Sequence, residues 1–228
     1  MAASSRIALV AGATGLVGGH LLQALLQRSE FGKVIAVTRR TTAVTHPHLT
    51  EILADFEQLE ASLTEGLAGR QVDCAYCCLG TTRAKAGSPA AFRRVDLDHV
   101  AAFAGSAKRA GTAVFALNSS VGADPESGNL YLRTKGEAEA ACRAVGFESL
   151  LIFRPGLLRG QREEFRLAER LGVLAAPLTD RLMLGPLARY RSTSARDLAA
   201  VMYAASINAQ PGETVFEGRD LAPGGGSD

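Results

Sequence analysis

Val10-Ala11-Gly12-Ala13-Thr14-Gly15-Leu16-Val17-Gly18-Gly19 joins an apolar, strand-like run at 7–11 to a helical stripe made of Leu21, Leu22, Leu25 and Leu26. A glycine turn in that place predicts the strand-to-helix connection that receives a dinucleotide. Gly12 can take the tight turn, Gly15 offers no Cβ to an approaching pyrophosphate, and Gly18 lets the helix pack close to the strand. Amides without partners at the helix start, together with the helix dipole, favour the phosphate charge. The spacing is GxxGxxG, one residue longer in its first gap than GxGxxG, so the flanking strand and helix carry the reading as much as the glycines do.

Outward from that turn, strand-like runs recur at 34–38, 49–53, 72–79, 113–117 and 150–153, with a last short one at 214–217 after Gln210-Pro211-Gly212. Helical patterns are predicted between most of them, at 18–28, 56–67, 90–110, 130–145, 163–171 and 194–206. Alternation of this kind specifies an α/β fold, a doubly wound Rossmann-type parallel sheet with helices on both faces. A length of 228 residues suits one such domain over 1–221, with small substrate-side elements from about 156. The stretch 222–228, with its three consecutive glycines, is expected to be a disordered tail.

Charge narrows the partners. The formal net charge is +2, with 25 basic and 23 acidic residues and no long run of either sign, so neither nucleic acid nor an anionic membrane is expected. No apolar stretch approaches the roughly 20 residues that span a bilayer, and no signal-type segment opens the chain, which predicts a cytoplasmic protein. The cysteines, Cys74, Cys77, Cys78 and Cys142, fit that compartment as reduced thiols. Cys74 and Cys77 have CxxC spacing, but on a strand they point to opposite faces, so neither a metal site nor a disulfide is expected. His20, His46, His48 and His99 show no ligand spacing and read as surface or capping residues.

In such sheets the ligand lies outside the carboxyl ends of the strands, so the residues just beyond each run carry the chemistry. The second run ends in Thr38-Arg39-Arg40, where an NAD site would offer a carboxylate to the ribose; Arg39 and Arg40 suit the 2′-phosphate of NADP instead, or form a solvated pair. Asp55, after the third run, can accept from an adenine amino group or cap the next helix. Cys78-Leu79-Gly80-Thr81-Thr82 forms a small-residue bend on which backbone can lie against the ribose or nicotinamide. The fifth run leads into Asn118-Ser119-Ser120, and beyond it stand Tyr131 and Lys135, which share a helix face at i and i+4. An ammonium beside a phenol makes proton exchange with a carbinol feasible, and a serine hydroxyl can hold the substrate oxygen while charge develops. Strand geometry puts Ser119 and Ser120 on opposite faces, so one of them, Ser120 in preference, serves.

These motifs resemble the short-chain dehydrogenase/reductase superfamily, specifically its small atypical members. The resemblance is carried by the glycine turn, by Cys77-Cys78-Leu79-Gly80-Thr81-Thr82-Arg83-Ala84-Lys85-Ala86-Gly87 and by Phe92-Arg93-Arg94-Val95-Asp96. It continues in Ser119-Ser120-Val121-Gly122-Ala123-Asp124, Tyr131-Leu132-Arg133-Thr134-Lys135-Gly136-Glu137 and Phe153-Arg154-Pro155-Gly156. It implies NADP contacts at Gly12, Thr14, Gly15, Leu16, Val17, Arg39, Leu79, Gly80, Tyr131 and Lys135, with Arg166 a further contact, and it implies that Tyr131 gives or takes the proton. After Gly160 the similarity fades, so no substrate is carried across.

The expectation is an NADP-dependent oxidoreductase, NAD being less favoured, that moves hydride to or from a small carbonyl or alcohol. The rival is an NADP(H)-binding redox sensor that signals to a regulatory protein partner with little turnover. A nucleotide-sugar epimerase is disfavoured, because the residues after Arg154 are too few for a nucleotide-sugar lobe.

Overall fold

The computed structural model describes residues 6–159 and 191–222. The predicted helix at 163–171, Arg166 and the tail residues 223–228 lie outside the described residues. Strands β1 (Ile7–Ala11), β2 (Lys33–Thr38), β3 (Leu49–Leu53), β4 (Cys74–Cys77), β5 (Val114–Asn118), β6 (Ser149–Arg154) and β9 (Gly212–Glu217) form one seven-stranded sheet. Its order is β3-β2-β1-β4-β5-β6-β9, and each neighbouring pair is parallel. A second, two-stranded pairing joins β7 (Leu158–Arg159) to β8 (Thr193–Ser194).

Alternation along β1 sorts the core into two layers. Leu9 and Ala11 pack with α2 (Leu59–Leu67), α5 (His99–Arg109) and α6 (Leu130–Val145), whereas Ala8 and Val10 pack with α1 (Leu16–Leu26) and α7 (Ala195–Ile207). Both faces are covered, which is why the central strands read as continuous apolar runs. The doubly wound expectation holds. Cys77 lies in the first layer and Cys74 in the second, and burial pushes their thiols up to about 12 and about 11. They therefore stay protonated near neutrality, on opposite faces of the sheet.

The helix expected at 90–110 is broken into α4 (Pro89–Arg93), a π turn (Arg94–Asp98) and α5. Hydrophobic periodicity could not mark that turn, because one extra residue hardly disturbs an apolar stripe. Ahead of it stands a short helix, α3 (Arg83–Ala86), capped by the Thr82 side chain accepting from the Lys85 N–H. The fourth strand is shorter than its apolar run, because Leu79 leaves the ladder and yet stays buried beside it.

Two glycines make the β1–α1 junction possible. Gly12 has φ +82°, and a Cβ there would stand 2.5 Å from the Cys78 carbonyl oxygen. A Cβ at Gly18 would stand 2.1 Å from the Gly12 carbonyl oxygen. Gly18→Ala is therefore expected to destabilise the protein by about 3 kcal/mol or more. Gly19→Ala is the control: its Cβ would meet only the Ala13 carbonyl oxygen at 3.5 Å, and the helix-propensity gain is about 0.5–1 kcal/mol. Urea unfolding of the two variants checks both signs.

Candidate functional site

The carboxyl ends of β1, β2, β4 and β5 bring most of the sequence candidates to one edge of the sheet. At β1 the turn is closed by the Gly15 N–H donating to the Gly12 carbonyl at 2.9 Å. Gly15 caps α1, which has neither a side-chain cap nor an acid in its first turn. The helix start therefore has no side chain competing for an anion, and Gly12, Gly15 and Gly18 leave bare backbone around it. Thr14 is exposed, Leu16 is half-buried and Val17 is buried in the core beneath the turn. This cradle fits a pyrophosphate on the residues' own geometry.

At the adenosine end of such a cradle, Arg39 and Arg40 stand exposed beyond β2. Asp55 is also exposed, and its side chain accepts from the Glu57 N–H at 3.0 Å. Of the two roles open to Asp55, the cap is the one formed here.

At the other end lies a buried ion pair that the sequence reading missed. Asp96, fully buried on the π turn, places Oδ1 2.8 Å from Lys135 Nζ and accepts from the Thr81 N–H through Oδ2 at 2.8 Å. One carboxylate thus ties α6 to the bend after β4. Burial acts to lower the Lys135 pKa, but opposing electrostatics, led by the charge of Asp96 and its hydrogen bond, outweigh it and hold it above the ordinary lysine value. Lys135 stays an ammonium. Gly80 leaves open the space over this pair, since a Cβ there would lie 3.3 Å from Asp96 Oδ1 and 3.5 Å from Lys135 Nζ.

Tyr131 sits in the first turn of α6, where the Asn129 side chain accepts from its N–H at 2.9 Å and from that of Leu132 at 3.3 Å. Its half-buried ring packs against Phe92 with centroids 5.8 Å apart. Tyr131, Lys135 and Glu139 follow at intervals of four and so share one face of α6.

The two serines lie just beyond β5, outside the strand on which the sequence places them, and they have different environments. The Ser119 hydroxyl donates to Glu139 Oε1 at 2.6 Å, and that buried carboxylate is also held by Arg154 through Nε at 2.8 Å and Nη2 at 2.6 Å. Arg154 Nη1 reaches on to Glu217 at 2.9 Å, and Arg143 Nη2 lies 3.3 Å from Glu139 Oε2. Ser119 is thereby bound into the framework under α6. Ser120 makes only a long contact, 3.4 Å to the Val121 carbonyl, which leaves its hydroxyl the free member of the pair.

Gly136 completes the site from below. A Cβ there would stand 2.2 Å from the Pro125 nitrogen, so only glycine lets the loop after Ser120 lie on α6. The signal for Asp96 was a lone carboxylate inside an otherwise apolar helical stripe, and for Gly136 a glycine in mid-helix. The wide surface groove along α2, about 840 Å³ and lined by Phe56, Glu57 and Leu59 among others, includes none of the glycine-turn, serine, tyrosine or lysine candidates. Among the described residues no cluster of His, Cys, Asp and Glu could hold a metal ion, and no helix is long and apolar enough to cross a membrane.

Comparison with known proteins shows the family and the fold. Residues 12–206 match the family described as NAD(P)H-binding. The chain is 40% identical over 165 residues to Protein HTATIP2 of Rattus norvegicus, covering 71% of this chain and 66% of that protein. It is 39% identical over 169 residues to Protein fmp52, mitochondrial, of Emericella nidulans, covering 72% of each. This chain therefore spans about two thirds of the rat protein. Among solved structures it superposes on the Bordetella bronchiseptica enzyme WbmH in complex with NAD+ with a TM-score of 0.71 at 15% identity, over 93% of this chain and 76% of that one. The oxidoreductase ylbE from Lactococcus lactis gives a TM-score of 0.64 at 17% identity, over 91% and 92% of the two chains. At those identities the structures speak to the fold alone, a parallel sheet with helices on both faces.

Breaking the buried pair tests how much the site rests on it. Asp96→Asn and Lys135→Met are each expected to lower stability by about 3–5 kcal/mol, because each strands a buried charge. The double variant should lose clearly less than the sum, as measured by a denaturant double-mutant cycle.

Proposed function

Because the chain belongs to the NAD(P)H-binding family, we propose that it is an NADP-dependent oxidoreductase of the atypical short-chain type, exchanging hydride with a small carbonyl or alcohol. The observation that carries this reading is Lys135, a buried ammonium one helical turn from Tyr131, on the same face of α6 and over a glycine-lined bend. A framework built only to hold a dinucleotide has no use for a phenol and an ammonium in that relation.

Gly12, Thr14, Gly15, Leu16, Val17 and Gly18 would hold the pyrophosphate and its riboses, with Leu79 and Gly80 along the nicotinamide side. Arg39 and Arg40, exposed where a carboxylate would mark an NAD site, support the preference for NADP. Bound there, the cofactor supplies or accepts hydride at the nicotinamide ring. In the reducing direction Tyr131 gives its phenolic proton to the carbonyl oxygen, and the resulting phenolate regains a proton from water. Lys135 stabilises that phenolate and reaches the ribose hydroxyls. Ser120 donates to the same substrate oxygen as it gains charge. Asp96 and Ser119 act one step back, the first by orienting Lys135 and the second by tying β5 to Glu139. The four free thiols, Cys74, Cys77, Cys78 and Cys142, support a reducing compartment, the cytoplasm in the sequence reading.

The test is Tyr131→Phe, assayed alongside the wild type. NADPH should bind both within about twofold and more tightly than NADH, while turnover of any carbonyl that the wild type reduces falls by at least about a hundredfold in the variant. Unchanged turnover would remove Tyr131 as the acid, and binding of neither coenzyme would remove the activity altogether.

A further inference from the structure

His99 is a largely buried ionisable group beside the π turn that the proposed chemistry does not use. The sequence suggests a surface or capping residue here, but the side chain is only 12% exposed and its Nε2 is buried without a hydrogen-bond partner. It stands at the start of α5, directly after the π turn that carries Asp96. Its ring meets Phe56 edge-on with centroids 5.5 Å apart, and Nε2 lies 3.7 Å from Glu57 Oε1. Phe56 and Glu57 directly follow Asp55, so this contact lies beside the end of β3. The same Glu57 oxygen lies 3.6 Å from Arg94, and the charge of Arg39 also acts on the imidazole.

The charged groups that face His99 are thus Glu57 from the turn after β3, Arg39 from the end of β2, and Asp98 and Arg94 from its own helical run. Burial holds the imidazole below its ordinary pKa; Arg39 and Arg94 act in the same direction, Glu57 and Asp98 against it. His99 is therefore neutral near pH 7, and the Glu57 carboxylate beside it keeps a negative charge close to the arginines.

We propose that His99 is a specificity-determining residue that takes up a proton when a phosphorylated ribose occupies the Arg39–Arg40 end of the cradle. The inference rests on the NADP reading above and adds a regulation to it. A phosphate monoester carries close to two negative charges near neutrality, and setting it near Arg39 offsets the arginine charge that adds to burial in keeping His99 neutral. The imidazolium then neutralises Glu57, which would otherwise oppose the anion. The sign follows from linkage: a ligand that raises a group's pKa binds more tightly on the acid side and loses that advantage as pH rises through the bound-state value. NADH lacks the 2′-phosphate and should take up no proton at this residue.

The experiment is a calorimetric titration of the full-length protein with NADPH and with NADH at pH 6.0 and 8.0, in buffers of different ionisation enthalpy. Wild type, His99→Gln and Glu57→Gln are compared. The phosphate's own ionisation is common to all three and cancels in the ratio of wild type to variant. After that correction, wild-type affinity for NADPH should be about fivefold weaker at pH 8.0 than at pH 6.0, with net proton uptake that both variants lose, and NADH should be unaffected. Glu57 is exposed, so Glu57→Gln keeps the test open if His99→Gln fails to fold. Parallel pH curves for wild type and either variant would overturn the role of His99 and leave the NADP reading standing. Failure of the wild type to bind NADPH would overturn both.

Discussion

A buried carboxylate facing a buried ammonium is the constraint on which the site depends. Asp96 and Lys135 are each placed where a lone charge would cost several kcal/mol, so each needs the other. To bring them together the chain must make a π turn, lay α6 beside it, and let the bend after β4 approach closely enough for the Thr81 N–H to reach the same carboxylate. The space that remains is bounded by Gly80, the ammonium and the face of α6 that carries Tyr131.

A second polar assembly under α6 holds the framework in which that face is set. Glu139, on the same face as Tyr131 and Lys135, is gripped by Arg154 from β6 and by Ser119 from the end of β5. Since Arg154 also reaches Glu217 on β9, the strands beside the site and its helix are joined through one guanidinium. Such bidentate, charge-assisted contacts are directional as well as strong, and they resist rotation of a helix in a way apolar packing alone does not. Gly136 adds the steric half by letting the loop after Ser120 rest on the helix.

What could be read from sequence was what chemistry writes locally. The glycine turn, the arginine pair and the Tyr131–Lys135 spacing each lie within a few residues, and the structure sets the glycines, Arg39 and Arg40, and the tyrosine and lysine along the carboxyl edge of the sheet. The helix at Leu130–Val145 and the strand at Leu49–Leu53 agree with their expected bounds, because clear caps and turns flank them. What could not be read were pairings that only topology creates. Asp96 meets Lys135, Ser119 meets Glu139, and His99 meets Glu57 across long gaps in sequence, and no periodicity marks a partner on another element. Asp55 was legible as a polar end to β3 and remained ambiguous until its cap to Glu57 was seen.

The proposed function asks for one arrangement: a dinucleotide with its pyrophosphate on the Gly12–Gly18 backbone and its nicotinamide between Gly80 and Tyr131. A crystal structure of the protein grown with NADPH measures this most directly. The account requires pyrophosphate oxygens within hydrogen-bond distance of the amides at the start of α1, the 2′-phosphate on Arg39 or Arg40, and the nicotinamide ring beside Tyr131. A cofactor bound elsewhere, or a nicotinamide turned away from Tyr131 with Lys135 still facing only Asp96, would contradict it.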